Sequence, residues 1–200
     1  MKRARGRPRG FDPEAALDAA LETFWRKGYR NTSMDDLVAA MGASRASVYE
    51  LFGDKRSLFV KCVDLYGERF AARVAAAMED EPDGRRALRA LLTASAKRLA
   101  SSDAPAGCLR CNSTMELMGS DALLDEALTE ANARYEASIA RLVERSVAAG
   151  DLAPEEAATL PAFITAAVNG MATSARAGAD FETLMHVVDR TVASWPETRR

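Results

Sequence analysis

Residues 32–59 read TSMDDLVAAMGASRASVYELFGDKRSLF. Two short amphipathic stretches flank a glycine. Ser33 precedes the first as an N-cap, with Asp35 and Asp36 in the opening turn, where the helix dipole favours negative charge. Leu37, Val38 and Met41 form its apolar side, and Gly42 suits the left-handed residue that ends a helix. Ser44 caps the second stretch and Gly53 ends it, with Val48, Leu51 and Phe52 as the expected apolar side. Two short helices joined by a tight glycine turn predict helix-turn-helix geometry. A helix that enters the major groove of DNA must be held from behind and be small or polar in front. Val48 and Leu51 are expected at the back, and Arg45, Ala46, Ser47 and Tyr49 at the front. Arg45 suits a guanine edge or a phosphate, and Ser47 and Tyr49 suit phosphate oxygens. Ser33 joins this set at the start of the first helix. Lys55 opens the next helix, where its ammonium and free backbone N–H groups together make a phosphate site.

Outward from this stretch the periodicity is helical nearly everywhere, and strand signals are nearly absent. Upstream, Asp12 and Pro13 start a helix whose inward face is Leu17, Leu21 and Phe24, ending at Gly28. Downstream, Asp54 caps a long helix to about residue 79, with Leu58, Cys62, Leu65, Tyr66 and Phe70 inward. Further helices are predicted over about 83–99, 108–118, 121–149, 154–177 and 180–194. Pro161 should kink the helix over 154–177 or split off its first turn. The predicted fold is all-α: an N-terminal three-helix bundle with the helix-turn-helix, then a C-terminal helical domain. The division is 1–10 as a basic arm, 11–57 as the DNA-binding unit and 58–200 as the remainder.

The chain has 200 residues, 48% hydrophobic and 28% charged, enough apolar surface for a sizeable core. No apolar run is long enough to span a bilayer, and no apolar stretch of signal-peptide type follows the basic start. Three cysteines, an odd count, point to a reducing cytoplasm. Lys2, Arg3, Arg5, Arg7 and Arg9 give the first ten residues +5, so a chain of net charge -2 carries -7 on residues 11–200. Such asymmetry points to a polyanion at one end only. RGRP, residues 5–8, is similar to the core of an AT-hook. Its glycine lets the backbone approach the minor-groove floor, its proline keeps the peptide extended, and its arginines seek the negative potential of a narrow A·T groove.

From Phe11 to about Phe59 the chain resembles the DNA-binding domain of the TetR family of bacterial regulators. The resemblance rests on the Gly28 stop, the threonine-serine start of the second helix, the Val48-Tyr49 pair and the aromatic-glycine-x-lysine run into the fourth helix. Leu51 departs from the aromatic or histidine that the family usually places there. The resemblance implies a cytoplasmic homodimer, a double-stranded DNA operator, and repression released by a small-molecule effector bound among the middle helices. It places the dimer contact on the last two helices, where Leu160, Phe163, Ile164, Val168, Leu184, Val187, Val188 and Val192 are the candidate buried positions.

Cys108 and Cys111 form a C-x-x-C pair. Zinc would need two more ligands, and only Cys62 and His186 remain, far off in the chain, so no metal site is expected. The pair is read either as buried packing or as a sensor whose thiolate is favoured by a helix N-terminus and Arg110. Residues 107–117, GCLRCNSTMEL, resemble the glycine-cysteine start of the sixth helix in a subset of the family that includes electrophile-responsive repressors. Met115 and Met118 are expected to extend that face into a pocket, with Cys62 as a further candidate ligand or sensing residue. No phosphate loop, HExxH or nucleophile elbow occurs, so neither catalysis nor a cofactor is expected. Three other readings stand beside a ligand-released repressor: a thiol-sensing repressor through Cys108 and Cys111, an A·T-preferring architectural protein, and a small helical enzyme or carrier.

Overall fold

The computed structural model describes residues 12–196. The basic arm, with Arg3, Arg5, Arg7 and the RGRP motif, lies outside the described residues. Among the described residues the regular structure is helical throughout. Its elements are α1 (Pro13–Lys27), α2 (Met34–Met41), α3 (Arg45–Phe52), α4 (Lys55–Asp80), α5 (Gly84–Leu99), α6 (Leu109–Leu117), α7 (Ala122–Ala148), α8 (Leu160–Arg176) and α9 (Phe181–Ala193).

Caps set most of these boundaries. The Asp12 carboxylate accepts from the backbone N–H groups of Glu14 and Ala15, and Pro13 stands where a missing donor costs nothing. Asp54, Asp83, Asp121 and Asp180 cap α4, α5, α7 and α9 in the same way. Gly42 takes φ 62°, the left-handed conformation that the turn between α2 and α3 requires. Gly84 is needed for space: a Cβ there would run into the Ser146 hydroxyl and the Trp195 ring. The helix expected over 154–177 is divided. A 3-10 turn covers Pro154–Ala158, and α8 starts at Leu160 with Pro161 in its first turn, because the proline ring would collide with the carbonyl four residues earlier.

The small N-terminal bundle closes on Ala20, Leu21, Phe24, Leu37, Val48 and Phe59, all buried. Phe24 meets Phe59 edge-on at 5.2 Å between ring centroids, which ties α1 to α4. Each such side chain contributes about 1.5–3 kcal/mol by leaving water. The 26 residues of α4 run about 39 Å from this bundle into the larger one, where α4 packs chiefly on α7. In that larger bundle α5 packs on α9, and α8 on α7.

Two expectations are corrected. Leu51 is 48% exposed and does not back the recognition helix; Phe52 does, one turn from Val48. The dimer-contact set fails for a similar reason. Leu160, Ile164, Val168, Leu184, Val188 and Val192 are buried inside this subunit, so they have little surface to offer a partner. Their apolar stripe is spent on the rest of the subunit's own core. Phe163 is 49% exposed and Val187 half-buried. Phe163, Ala166, Gly170 and Thr173 line one exposed face of α8 at helical spacing.

Candidate DNA-binding surface and sensing core

The recognition unit is locked before any DNA is met. The Ser33 side chain accepts the Asp36 N–H while the Asp36 carboxylate accepts the Ser33 N–H, a reciprocal capping box. Lys27 of α1 donates to the same carboxylate at 2.6 Å. The Lys27 hydrogen bond and then the Ser33 bonds hold Asp36 well below the usual carboxylate range. Ser44 caps α3 by accepting from the Ser47 N–H. Val48 and Phe52 face inward, while Arg45, Ala46 and Tyr49 are exposed and Ser47 is half-buried. Arg45 donates to Asp35 across the turn, so its guanidinium must exchange a carboxylate for DNA.

Lys55 does open α4, but its ammonium lies 4.3 Å from the Tyr29 ring centroid, and partial burial lowers its pKa. Asp54 caps the same helix end by accepting from the Ser57 N–H at 2.9 Å. A phosphate here would therefore meet a carboxylate beside the ammonium.

The cysteine pair sits at the start of α6. Gly107 takes φ 73° and delivers Cys108 as the N-cap residue. The Cys108 thiol is buried and accepts from the Tyr66 hydroxyl at 3.2 Å. Hydrogen bonding from Cys111, the Arg110 charge and the Tyr66 bond outweigh burial and lower its pKa to about 5. Cys111 is pushed the other way, first by that same bond and then by burial. The single Cys111 proton has a second acceptor, Asn169 Oδ1 at 3.2 Å. Arg110 is only 4% exposed, and no ion pair to a carboxylate forms there among the described residues. Its guanidinium donates to Asn132 and, at 2.5 Å, to Asn169, and lies 4.1 Å from the Tyr135 ring centroid. A buried cation held by neutral amides and a ring makes an anionic Cys108 favourable.

The other expected sensing residues do not join this core. Cys62 is fully buried, directed at the Leu17 carbonyl 3.9 Å away, and burial pushes its thiol up. Met115 is 89% exposed and Met118 is 49% exposed, so the methionines turn away from the buried face of α6. Among the described residues no group of His, Cys, Asp and Glu is arranged to hold a metal ion.

Residues 16–62 match the family model for bacterial regulatory proteins of the tetR family, and residues 84–190 match the tetracyclin repressor-like C-terminal domain. The second match alone spans more than half of the chain. The chain belongs to the tetR family. It is 36% identical over 199 residues to the HTH-type transcriptional repressor ComR of Escherichia coli K12, covering 98% of this chain and 95% of that one. The HTH-type repressor BdcR of the same organism is 31% identical over 54% of this chain and 55% of its own. A cysteine-substituted form of the tetR-family regulator CifR, solved with 26-base-pair double-stranded operator DNA, superposes with a TM-score of 0.85 at 28% identity. That likeness covers 95% of this chain and all of the CifR chain.

As a tetR-family regulator the chain is a DNA-binding transcriptional repressor and dimeric. Among the described residues, no helix is long and apolar enough to cross a membrane.

The joint between the two parts of this tetR-family subunit holds residues that sequence reasoning missed. Glu116 of α6 reaches the turn after α1, and its carboxylate accepts the N–H groups of Tyr29 and Arg30 at 3.0 and 2.7 Å. Gly28 makes room for it: with φ 80°, a Cβ there would stand 2.9 Å from Glu116 Oε2. Beside this latch is a cleft of about 530 Å³ lined by Trp25, Arg30, Cys111, Met115, Glu116 and Arg176, among others. Nothing in the local sequence around Glu116 signals the latch. Asn132 and Asn169 left no local signal either, since Thr129, Glu136, Thr165 and Thr173 share their helix faces.

Proposed function

We propose that this dimeric repressor holds a palindromic DNA operator and releases it when a small-molecule effector enters the C-terminal helices. The observation that carries the reading is α3: anchored by Val48 and Phe52, with Arg45, Ala46 and Tyr49 turned to solvent. Ser33 and Ser47, both engaged in caps, and Lys55 frame that face as phosphate partners. Residues 1–10 serve as the DNA-contacting arm through Arg3, Arg5 and Arg7, residues 11–57 as the DNA-binding unit, and 58–200 as the effector and dimer unit. The dimer contact lies on the exposed α8 face around Phe163, with Val187 at its edge. The two recognition helices then read half-sites about 34–36 Å apart or a multiple of that spacing. The protein acts in the cytoplasm and has no catalytic role. ComR's description as a repressor and CifR's seat on operator DNA support the reading. Footprinting on DNA upstream of its own and neighbouring genes tests it. A protected palindrome, lost in Arg45→Ala, is the expected result. Affinity that follows A·T content without a palindrome would refute it in favour of an architectural protein.

A second reading concerns the trigger, supported by the Tyr66 hydroxyl on the Cys108 thiol and the buried Arg110 guanidinium in the same core. In that reading Cys108 is the nucleophile and Cys111, which lines the 530 Å³ cleft, is the accessible partner. Operator release by a thiol-reactive electrophile in the wild type, retained in Cys111→Ser but absent in Cys108→Ser, is its signature.

A further inference from the structure

A second cleft lies apart from the cysteine pair, between α4 and the returning helix α5. Its volume is about 350 Å³, at the small end of the usual range for small-molecule sites. The space exists because the facing side chains are short. Ala76 and Ala77 of α4 oppose Ala90 and Ala94 of α5, with Leu91 between them. Methyl groups cannot fill the gap between helix axes about 8–10 Å apart. The walls are therefore apolar, and the two ends are not. Arg73 and Arg98 stand at one end, Asp80 and Glu81 at the other, about 10 Å away by helical rise.

Neither arginine forms an ion pair with a carboxylate among the described residues. Arg73 leans on the Phe70 ring, 5.7 Å from its centroid. Arg98 lies 5.0 Å from the Trp25 ring centroid and donates to the Gly107 carbonyl at 3.3 Å. Partial burial, and then the charge of Arg98, lower the pKa of Arg73 against the opposing influence of Tyr66, Tyr135 and Cys108. Two neighbouring guanidiniums at one end of an apolar slot, neither paired with a carboxylate among the described residues, form an anion-binding end.

We propose that the α4–α5 cleft binds an apolar monocarboxylate, an acyl or aryl acid of medium length. The carboxylate bridges Arg73 and Arg98, and the hydrocarbon lies along the alanine walls. Asp80 and Glu81 at the far end outnumber the one guanidinium there, that of Arg145 on the Met78 and Glu81 carbonyls, and repel a second carboxylate, so the site discriminates against dicarboxylic acids of the same length. That this occupant is an effector rests on the repressor reading above. Arg98 supplies the route: it touches Trp25 of α1 and Gly107 ahead of α6, and a carboxylate competes for the same guanidinium.

Titration calorimetry on the full chain without DNA tests the site, with octanoate as the probe. Octanol, octylamine and octanedioate, of equal chain length, test charge and its number. Octanoate should bind, and each of the other three should bind at least about tenfold more weakly. Arg73→Gln and Arg98→Gln should each weaken octanoate by a similar factor. Ala94→Phe, which fills the slot without altering charge, should abolish binding. Circular dichroism melting confirms that each variant is folded. No octanoate binding to the wild type, equal binding of octanedioate, or undiminished binding to folded Ala94→Phe overturns the proposal. Operator affinity with and without octanoate is measured separately. A chain that binds octanoate but no operator keeps this site and overturns the proposed function.

Discussion

Replacing Cys108 with alanine should change the pH dependence of stability in a defined direction. In the folded chain the thiol has a pKa of about 5, against an ordinary value of 9.0. Between those values the unfolded chain binds a proton that the folded chain does not. Folding is therefore favoured as pH rises, by about 1.4 kcal/mol per pH unit. This contribution is fully present above the unfolded pKa and is lost as pH falls through about 5. Cys111, whose pKa is raised, stays protonated in both states across that window. The capping carboxylates Asp36, Asp54, Asp121 and Asp180 have lowered pKa values, titrate below the window and are common to both proteins. Urea unfolding under reducing conditions at pH 6 and pH 8, for wild type and Cys108→Ala, isolates this contribution. The wild type should gain about 3 kcal/mol more than the variant over those two units. The rise in thiolate absorbance between pH 4 and pH 6 should disappear in the variant. Equal pH slopes for the two proteins would refute the thiolate assignment, and with it the account of how buried Arg110 is balanced.

Arg45→Ala should weaken operator binding by about 1–3 kcal/mol if the freed guanidinium pairs with a base, and gel-shift titration against the footprinted site measures it. Removing residues 1–9 should flatten the salt dependence of that affinity by about 0.9 for each phosphate the arm neutralises, whereas an unchanged slope rules out the arm. Phe163→Glu should yield a folded monomer in sedimentation, while Val188→Glu should unfold the subunit by burying an unpaired charge; a folded, dissociated Val188→Glu would reverse the core assignment. Glu116→Gln keeps the shape of the latch and removes its charge, so the Tyr29 and Arg30 amides should exchange hydrogen about tenfold faster or more. Unchanged exchange at those amides would show that the latch carries no energy.

The order of the helices and the helix-turn-helix were legible because their signals are local. A cap such as Ser33, a left-handed Gly42 and an apolar stripe all act within a few residues. Leu51 was misread because an apolar stripe on an eight-residue helix is ambiguous by one position. Val48 and Phe52 already cover the narrow seam by which α3 is held. The α8 and α9 stripes were misread for a different reason. Amphipathicity says that a face is buried, not by which chain. The polar constellation was illegible altogether, since Arg110, Asn132, Asn169 and Tyr66 come from four helices. Their convergence depends on how α4, α6, α7 and α8 pack, which no spacing rule encodes.

The joint between the two bundles combines one rigid connection with several weak ones. α4 crosses it as an unbroken helix, fixed at its start by Phe59 against Phe24 and further on by Phe70, stacked 3.9 Å from Tyr135. The other ties named here are polar. Arg56 of α4 pairs with Asp121 of α7 at 3.0 Å, Glu116 holds the turn after α1, and Arg98 stacks on Trp25. Partly exposed ties of this kind contribute about 1 kcal/mol or less apiece. A ligand with modest differential affinity can therefore exchange them, while it cannot break α4 or empty the aromatic contacts. In the proposed release the DNA-binding unit and α4 then move together as one body against the larger bundle, with both cores intact. In a dimer that motion changes the separation of two recognition helices, and DNA with its fixed helical repeat registers a change of that kind as lost affinity.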